Sequence, residues 1–472
     1  TLGGGMTTIK ESYNPTTNLG GYYREIWNVF EKRIGRDKYE YDWRDLEAKL
    51  RWCADRHTRL TMRIAQFSGY PYDDEVLLVP DDYGSNKGSY DKFCSKFGLI
   101  SDDKGQMKKG GKLIKIGFPQ LYFWKMVKEG NYPIIALQHE GDTCLIACPN
   151  YNSEGFYKGW YNLQKNLSMW LKGDLRNLDG TRYLINGRPI KRMYMIASMQ
   201  AGLVGMYGEG WIKDFGELPI DARRCYDYAQ LYPTLFPSIP LSYPLAVFYD
   251  HEYYRIEGLI KLWTINNKCG ISGLYYDVIG EDQFHYYFND SHVGQLLRSL
   301  DFDNRRIEGE GSGFYKSEDL RDLLNHAYGA HFSGVALHNF AITGERNTAA
   351  AQKNWRKFKT LVGAQLYFSN ASLVHKKGRR CCLSFQLQNL GLCRVFSPYW
   401  EPYLIYRDKK GQELKREKMR FDVKTILPNS QDPQKAGVAK EVIPIIQPIK
   451  LPKNVSTVNF AIIDSYGIYE NY

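Results

Sequence analysis

Two glutamates set among glycines are the residues of this chain best suited to do chemistry. Glu209 lies in VGMYGEGW (204–211) and Glu310 lies in RRIEGEGSGF (305–314). Each follows an apolar or β-prone run, so each is expected where a strand ends and a loop begins. Glycine permits the sharp turn and the close approach of a ligand that such a position needs. Two carboxylates facing each other across a pocket are the groups that glycoside hydrolysis requires, one as proton donor and one as nucleophile or base. The alternative is that each Gly-Glu-Gly is a turn that carries a solvated acid.

The surroundings of the two glutamates predict different roles for them. Trp211 and other apolar neighbours would desolvate Glu209 and keep its proton near neutral pH, which predicts the acid/base. Glu310 is the predicted nucleophile, which must stay ionised. Arg24 and Arg63, at other predicted strand ends, are the cations expected to hold it so. A carboxyl separation of about 5–5.5 Å would predict retention, and one of about 6.5–9.5 Å inversion.

Several other side chains are expected near the same site. Glu308 competes with Glu310, because residues two apart in a strand point to the same side, and Glu310 is preferred because it lies nearer the loop. The further candidate substrate-binding residues are Tyr207, Trp211, Asp277, His338 and Asn339. Each has a structural alternative: Trp211 as a buried packing residue, Asp277 in a salt bridge, and His338 as a core histidine.

The elements that would position these residues alternate between strand and helix patterns. Residues 22–31 and 59–67 have strand patterns, and they flank an amphipathic helix predicted at 42–56. Asp42 is placed to cap that helix. This is one complete β-α-β unit.

A second β-α-β unit closes the first two-thirds of the chain. It comprises a strand at 305–311, a helix that Ser317 caps and Gly329 ends, and a strand at 333–340. Three more buried strands are predicted at 192–208, 244–250 and 270–280. The pattern predicts an α/β fold, with a (β/α)₈ TIM barrel over residues 1–360.

Two regions depart from the barrel pattern. An insertion around residues 68–140 is too long for one β-α step and is predicted to form a lid or subsite wall. Its lysines, between Lys87 and Lys128, either hold an anionic polymer or form a solvated surface. Residues 361–472 carry short alternating segments separated by turn residues, which predict a C-terminal all-β sandwich.

Several segments are similar to those of a known family. They are GGYYREIWNVFE (20–31), YDWRDLEAKLRWCADRHTRLTMRI (41–64), LVGMYGEGW (203–211), DVIG (277–280) followed by IEGEG (307–311), and QNLGLCRVFSPYWEPYLIYRDKKG (388–411) with FDVKTILPNS (421–430). Together they resemble a bacterial family of unknown function, the domain-of-unknown-function 4832 type, which has a glycoside-hydrolase-like TIM barrel and a C-terminal β-sandwich. The resemblance covers most of the chain outside the insertion.

The resemblance implies an enzyme class. It implies that Glu209 follows about the fourth barrel strand and Glu310 about the seventh, where retaining TIM-barrel glycosidases place the acid/base and the nucleophile. We therefore expect a glycoside hydrolase acting on a plant, algal or host polysaccharide or oligosaccharide. The alternative is a non-catalytic glycan-binding barrel protein of a polysaccharide-utilisation system.

Composition narrows the partners. The 472 residues carry a net charge of +11, but the cations are scattered and no nucleic-acid recognition motif is present, so no nucleic-acid partner is expected. Aromatic residues make up 15% of the chain, and their rings suit the apolar faces of sugars. No apolar run reaches the length of a membrane span, and the nine cysteines form neither a disulfide framework nor a metal motif. We expect no metal and no cofactor, and a secreted, periplasmic or cell-surface protein.

Overall fold

The structure is a computed structural model of the whole chain. It describes residues 21–35, 38–68, 75–138, 144–205, 207–209, 218–244, 266–267, 270–279, 305–311, 320–336, 348–428 and 442–468.

The helices are spread over the first three-quarters of the chain. They are α1 (Trp27–Phe30), α2 (Arg44–Asp55), α3 (Lys87–Phe97), α4 (Gln120–Glu129), α5 (Glu154–Leu171), α6 (Ala222–Leu235), α7 (Arg321–Ala330) and α8 (Ala349–Leu361). Short 3-10 turns lie at Tyr83–Asn86, Arg192–Met195 and Val423–Thr425.

Strands occur along the whole described chain. Those before residue 200 are β1 (Gly21–Ile26), β2 (Glu31–Gly35), β3 (Lys38–Tyr41), β4 (Leu60–Ala65), β5 (Leu99–Ser101), β6 (Met107–Lys109), β7 (Lys112–Ile116), β8 (Ile134–Gln138), β9 (Cys144–Cys148), β10 (Leu184–Ile185), β11 (Arg188–Pro189) and β12 (Ile196–Gln200). Those after it are β13 (Leu241–Pro244), β14 (Asn266–Asn267), β15 (Gly270–Ile271), β16 (Gly273–Ile279), β17 (Ile307–Gly311), β18 (Gly334–Ala336), β19 (Leu366–Lys377), β20 (Arg380–Asn389), β21 (Trp400–Arg407), β22 (Glu413–Lys418), β23 (Ile443–Lys450) and β24 (Thr457–Asp464).

The main sheet is parallel and has seven strands in the order β1-β4-β12-β13-β16-β17-β18. Each strand pairs with the next one of the sheet along the chain, which is the order of a β/α barrel wall. The described strands form a half-barrel, and the mixed α/β class is confirmed. Closure into a full eight-stranded barrel stays a prediction.

The sheet is strongly curved. Strands β12 and β17 are three places apart, which corresponds to about 14 Å in a flat sheet. Nevertheless, Ser198 Oγ of β12 donates to Glu308 Oε1 of β17 over 2.6 Å. The polar side chains of the concave face therefore converge, as they would in the interior of a barrel.

Alternation in the strands separates a polar face from an apolar one. Met62, Ile64 and Met199 belong to the large apolar core, together with Leu50 of α2 and Trp160 of α5. The helices thus cover the convex face of the sheet. The concave face carries the polar residues that alternate with these apolar ones.

Three local predictions need correction. The first strand ends at Ile26 and not at residue 31, because Trp27 and Phe30 are both buried in the single turn of α1 instead of alternating. Gly329 lies inside α7, and the helix ends at Ala330, followed by His331 in the left-handed conformation with φ +51°. Ser317, the predicted cap, lies outside the described residues. The third correction concerns the cap of α2: the helix itself agrees with its prediction, but its N-cap is Trp43 and not Asp42, whose carboxylate accepts from the backbone N–H of Arg44 over 3.0 Å.

The region between β4 and β12 contains a five-stranded sheet, β5-β6-β7-β9-β8, together with α3 and α4. Three of the ten lysines from Lys87 to Lys128 form ion pairs with acids of the same region: Lys87 with Asp91, Lys108 with Asp102, and Lys128 with Asp82. For these three lysines the pairs favour the solvated-surface interpretation.

The C-terminal region is all-β and sandwich-like. It contains two antiparallel three-stranded sheets, β19-β20-β23 and β22-β21-β24. Leu383, Phe385 and Leu404 are among the side chains of its own apolar core. Arg59, just before β4, is buried against this region, where it pairs with Asp464 and stacks on the ring of Tyr399 at 4.5 Å.

None of the described helices has the length and the apolar composition needed to cross a membrane.

Candidate functional site

The site is built where the strands of the main sheet end. Arg24 of β1 pairs in register with Arg63 of β4, and Arg63 pairs with Gln200 of β12. Residues in register across neighbouring strands face the same side of the sheet. The register therefore places two guanidinium groups and an amide in one row on the concave face.

Glu209 lies in the loop that follows β12 and meets this row. Its carboxylate Oε1 lies 3.0 Å from Arg24 Nη1 and 2.7 Å from Arg63 Nη2. Glu209 is only 4% exposed and Arg63 is fully buried, whereas the Arg24 side chain is 21% exposed. The ion pair is thus shielded on one side and open to solvent on the other. Charge-assisted contacts of this length stabilise the ionised carboxylate.

The loop that carries Glu209 needs an unusual backbone. Tyr207 has φ +54°, in the left-handed region, which costs a residue with a Cβ about 1–2 kcal/mol. Gly208 has φ +72°, and a Cβ there would lie 2.7 Å from the Cα of Gly202. Only glycine fits this close approach of the loop to itself, which agrees with the role predicted for the glycines around Glu209.

Hydrogen bonds hold the loop to its neighbours. The Tyr207 N–H donates to the Phe67 carbonyl over 3.1 Å. The Tyr275 hydroxyl donates to the Gly208 carbonyl over 2.8 Å, and the Tyr151 hydroxyl accepts from the Gly205 N–H over 2.9 Å. The position of Glu209 is therefore fixed by elements of the sheet and of the helix layer.

Aromatic rings lie against both arginines. The guanidinium carbon of Arg24 lies 4.7 Å from the ring centroid of Tyr207, and that of Arg63 lies 4.8 Å from that of Tyr275. Such cation–π contacts restrict the guanidinium orientation and add roughly 0.5–2 kcal/mol each. Tyr207, a predicted substrate contact, thus belongs to the same cluster as Arg24, Arg63 and Glu209.

A second buried carboxylate lies on the same face. Glu308 is 3% exposed, and its Oε1 accepts from Ser198 and from both Nε (2.8 Å) and Nη2 (2.7 Å) of Arg306. Its Oε2 accepts from the Ser242 hydroxyl over 2.5 Å and from Gln200 Nε2 over 3.3 Å. Burial alone would raise the pKa of Glu308, but the Arg306 charge and the hydroxyl donors outweigh it and hold the pKa below its ordinary value. Glu308 is therefore an ionised carboxylate.

A continuous chain of hydrogen bonds joins the two carboxylates. Arg63 Nη2, which contacts Glu209, donates to the Tyr22 hydroxyl over 2.8 Å. Tyr22 donates to Gln200 Oε1 over 3.2 Å, and Gln200 Nε2 reaches Glu308. Glu209 and Glu308 therefore share one polar network whose members come from β1, β4, β12 and β17.

The other predicted residues are described only in part or not at all. Glu310 and Asp277 lie in β17 and β16, and only their backbones are described. Trp211, His338 and Asn339 lie outside the described residues. Within the described sheet, Glu209 follows the third strand and Glu310 lies in the sixth, so their separation of three strands equals the one that the resemblance implies.

Sequence reasoning missed several members of the network. They are Tyr22, Ser198, Gln200, Ser242, Tyr275 and Arg306. A signal was available: within buried strands such as IASMQ, polar residues at every second position mark a concave polar face. Their partners come from strands far apart in the sequence, so the pattern alone does not connect them.

Within the described part of the chain, no cluster of three His, Cys, Asp or Glu side chains is placed to hold a metal ion. Two surface clefts lie away from Glu209. One is lined by Arg33, Asp81 and Lys125 among others, and the other lies along Tyr157 and Tyr161 of α5.

Comparison with known proteins adds little. No protein-family model and no curated protein matches the chain. A solved structure that matches is that of IrmA from Escherichia coli, which is 16% identical and has a TM-score of 0.14, over 22% of this chain and 80% of IrmA. A similarity this weak carries no argument about fold or function.

Proposed function

We propose that the chain is a retaining glycoside hydrolase on a closed (β/α)₈ barrel, and that it acts on a plant, algal or host polysaccharide or oligosaccharide outside the cytoplasm. The observation that carries the proposal is the buried Glu209, held by Arg24 and Arg63 at the carboxyl ends of neighbouring strands. Active sites of β/α barrels lie at that end of the sheet, built from the loops that follow the strands.

The curvature of the sheet supports closure. A contact between Glu308 and Ser198 across three strand places requires the concave face to turn in on itself. Polar residues at consecutive inward positions would then line the interior of the barrel, below the rim where Glu209 lies.

The ion pairs favour a different assignment of the nucleophile and the acid/base to Glu209 and Glu310 from the one predicted by sequence. A carboxylate in contact with two guanidinium groups is stabilised in its ionised form, so it suits the nucleophile better than the proton donor. We therefore assign the ionised role to Glu209 and the acid/base role to Glu310. The sequence prediction had placed Arg24 and Arg63 beside Glu310 instead.

The reaction then runs in two displacements. Glu310 protonates the leaving oxygen while Glu209 attacks the anomeric carbon, and the C–O bond to the leaving group breaks. Water, deprotonated by Glu310, then hydrolyses the glycosyl-enzyme and releases Glu209. Arg24 and Arg63 stabilise the negative charge as it returns to Glu209. Tyr207, Trp211, Asp277, His338 and Asn339 are the proposed substrate contacts.

A second candidate is a non-catalytic glycan-binding barrel. The observation that favours it is that two arginines contact the carboxylate of Glu209, an arrangement that a structural ion pair can also have. In that case the aromatic residues at the rim would bind sugar, and no glycosidic bond would break.

Azide rescue of two variants separates these possibilities. Aryl glycosides with good and poor leaving groups are hydrolysed by wild type, Glu209→Ala and Glu310→Ala, with and without azide. If Glu209 is the nucleophile, Glu209→Ala should lose turnover with every leaving group when azide is absent. When azide is present, the variant should form a glycosyl azide of inverted configuration.

The acid/base variant behaves differently. Glu310→Ala should keep turnover on good leaving groups and form a glycosyl azide of retained configuration. The opposite pattern would restore the roles predicted by sequence. Glycan binding by wild type without turnover on any substrate would favour the second candidate.

A further inference from the structure

The strongest charged surface outside the barrel lies at one end of the sheet β19-β20-β23. The end of β19, the hairpin turn and the first residue of β20 together read HKKGRR (375–380), and every one of these residues is exposed. Strand register aligns Lys377 with Arg380, and Arg380 with Lys450, across the three strands. We call Lys377, Arg380 and Lys450 the cation row.

The cation row faces away from the core of the sandwich. Cys381, Leu383 and Phe385 alternate as the buried positions of β20, so Arg380 lies on the outward side. Neighbouring strands are about 4.8 Å apart, which brings the three cations into line at that spacing. Like charges placed directly opposite one another are unfavourable in a sheet.

No acid of the described chain relieves this repulsion. None of the ion pairs among the described residues includes a member of the cation row, whereas Lys415, Arg416 and Lys418 of β22 all pair with glutamates. Lysines on edge strands often serve to prevent edge-to-edge pairing. That explanation covers Lys377 and Lys450 but not Arg380, because β20 is the central strand.

The next outward row is apolar. Val374 pairs with Cys382, and Cys382 with Pro448, one step from the cation row on the same face. Val374 is 53% exposed, and Ile446 beyond this row is 70% exposed. The surface therefore offers a line of positive charge beside an apolar strip formed by Val374, Cys382 and Pro448, with Ile446 in the following row beside Ser372 and Ser384.

We infer that the cation row and the adjacent apolar strip bind an acidic polysaccharide, with carboxylate or sulfate groups on the cations and sugar C–H faces on the strip. The strand spacing that separates the backbones of these three residues is close to the length of one sugar unit in an extended chain. Single-stranded nucleic acid is bound largely by stacking of its bases on aromatic rings, and the apolar strip carries none, whereas sugar C–H groups can also pack on aliphatic side chains such as Val374 and Pro448. The inference goes beyond the proposed function and does not depend on Glu209.

Binding of the full chain to immobilised polymers tests the inference. The probes are polygalacturonate, dextran sulfate and, as the neutral reference, dextran, each over a series of salt concentrations. Wild type should bind one or both acidic polymers with an affinity that falls as salt rises, and should not bind dextran. The two acidic polymers distinguish carboxylate from sulfate recognition.

A triple variant and a charge-matched control locate the site. Lys377→Gln/Arg380→Gln/Lys450→Gln should bind roughly tenfold more weakly, because three exposed ionic contacts are removed. Lys172→Gln/Lys409→Gln/Lys410→Gln removes the same charge from exposed lysines on other elements, and should stay within about twofold of wild type.

Other outcomes overturn the inference. No binding of either acidic polymer by wild type, or equal weakening in the two triple variants, rejects the site. If single-stranded DNA or phosphatidylserine vesicles bind equally tightly through the same three residues, the polysaccharide inference is rejected in favour of that partner. Aryl-glycoside turnover by the triple variant should equal that of wild type, so this inference and the proposed function fail independently.

Discussion

The buried Glu308 carboxylate offers the sharpest test of the polar concave face. The substitution Glu308→Gln keeps the shape of the side chain and removes its charge. Arg306 then faces a neutral amide, and Ser198 and Ser242 lose their charge-assisted hydrogen bonds. The fold is expected to survive, since the apolar helix layer on the convex face is unchanged.

The expected cost follows from the burial of the group. Removing one partner of a buried ion pair costs about 3–5 kcal/mol, because the other charge is left uncompensated. The Arg306 side chain is 14% exposed, so water recovers part of that loss. We expect a destabilisation of about 3 kcal/mol at neutral pH.

The stability lost in Glu308→Gln should be larger near neutral pH than in acid. The folded-state pKa of Glu308 is lowered from 4.5, so the ionised group contributes stability above the unfolded pKa. That contribution disappears as pH falls through the folded-state pKa. The difference between wild type and Glu308→Gln is therefore full near neutral pH and shrinks in acid.

Urea unfolding followed by tryptophan fluorescence, near neutral pH and near pH 3, measures both quantities. The matched control is Glu413→Gln, because Glu413 pairs with Arg416 at 2.9 Å on the surface, with its side chain 34% exposed. An exposed pair of this kind contributes at most about 1 kcal/mol. Equal losses in the two variants, or a loss that is the same at both pH values, would refute the assignment of Glu308 as a buried ionised carboxylate.

Three further predictions address other parts of the molecule. Burial raises the pKa of Glu25 from 4.5 to about 7, so the folded state binds this proton more tightly than the unfolded state does. Wild type therefore loses stability as pH rises from 4.5 to 7. Near pH 8, Glu25→Gln should be more stable than wild type by up to about 3 kcal/mol in urea unfolding, and a less stable variant would contradict this. Arg59→Met leaves Asp464 buried without its cation and should lower the free energy of unfolding by about 3–5 kcal/mol. The double variant with Asp464→Asn should recover part of this stability, and additive losses in the two single variants would argue against the pair. Gly208→Ala should lower Tm more than Gly98→Ala, because both have positive φ but only the former meets backbone atoms, and equal shifts would show that the loop moves aside.

Six of the seven strands of the main sheet overlap runs predicted as strands, whereas β13 (Leu241–Pro244) shares only Pro244 with the strand predicted at 244–250. The parallel pairing of β1 with β4 follows from a β-α-β unit of ordinary length, whereas the register that aligns Arg24 with Arg63 is known only from the structure. The glycines around Glu209 predicted a loop at a strand end, and Glu209 does lie in the loop that follows β12. Positions at predicted strand ends therefore singled out Arg24, Arg63 and Glu209 of the cluster. Tyr207 was singled out because it lies beside Glu209 in the sequence.

Two features could not be predicted from sequence. One depends on the curvature of the sheet, and the other on competition between β propensity and burial at the end of β1. Contact between Ser198 and Glu308 requires the sheet to bend across three strands, and no local pattern encodes that bend. The end of β1 was mispredicted because Trp27 is aromatic, which suits a strand, but burying both it and Phe30 on one side requires a helical turn. Tertiary burial overrode β propensity at this point.

The loop of Glu209 combines features that are each costly for folding. It buries a carboxylate beside the fully buried Arg63, holds Tyr207 in a left-handed conformation, and brings Gly208 against the backbone of Gly202. A structural ion pair would need only the first of these. Strain of this kind is maintained where the rest of the fold fixes a side chain in one position, and it concentrates at ligand and catalytic sites. The strained backbone thus favours a chemical role for Glu209 over a structural one. Relief of that strain in Tyr207→Gly, with a gain in stability and a loss of turnover, would be the corresponding signature.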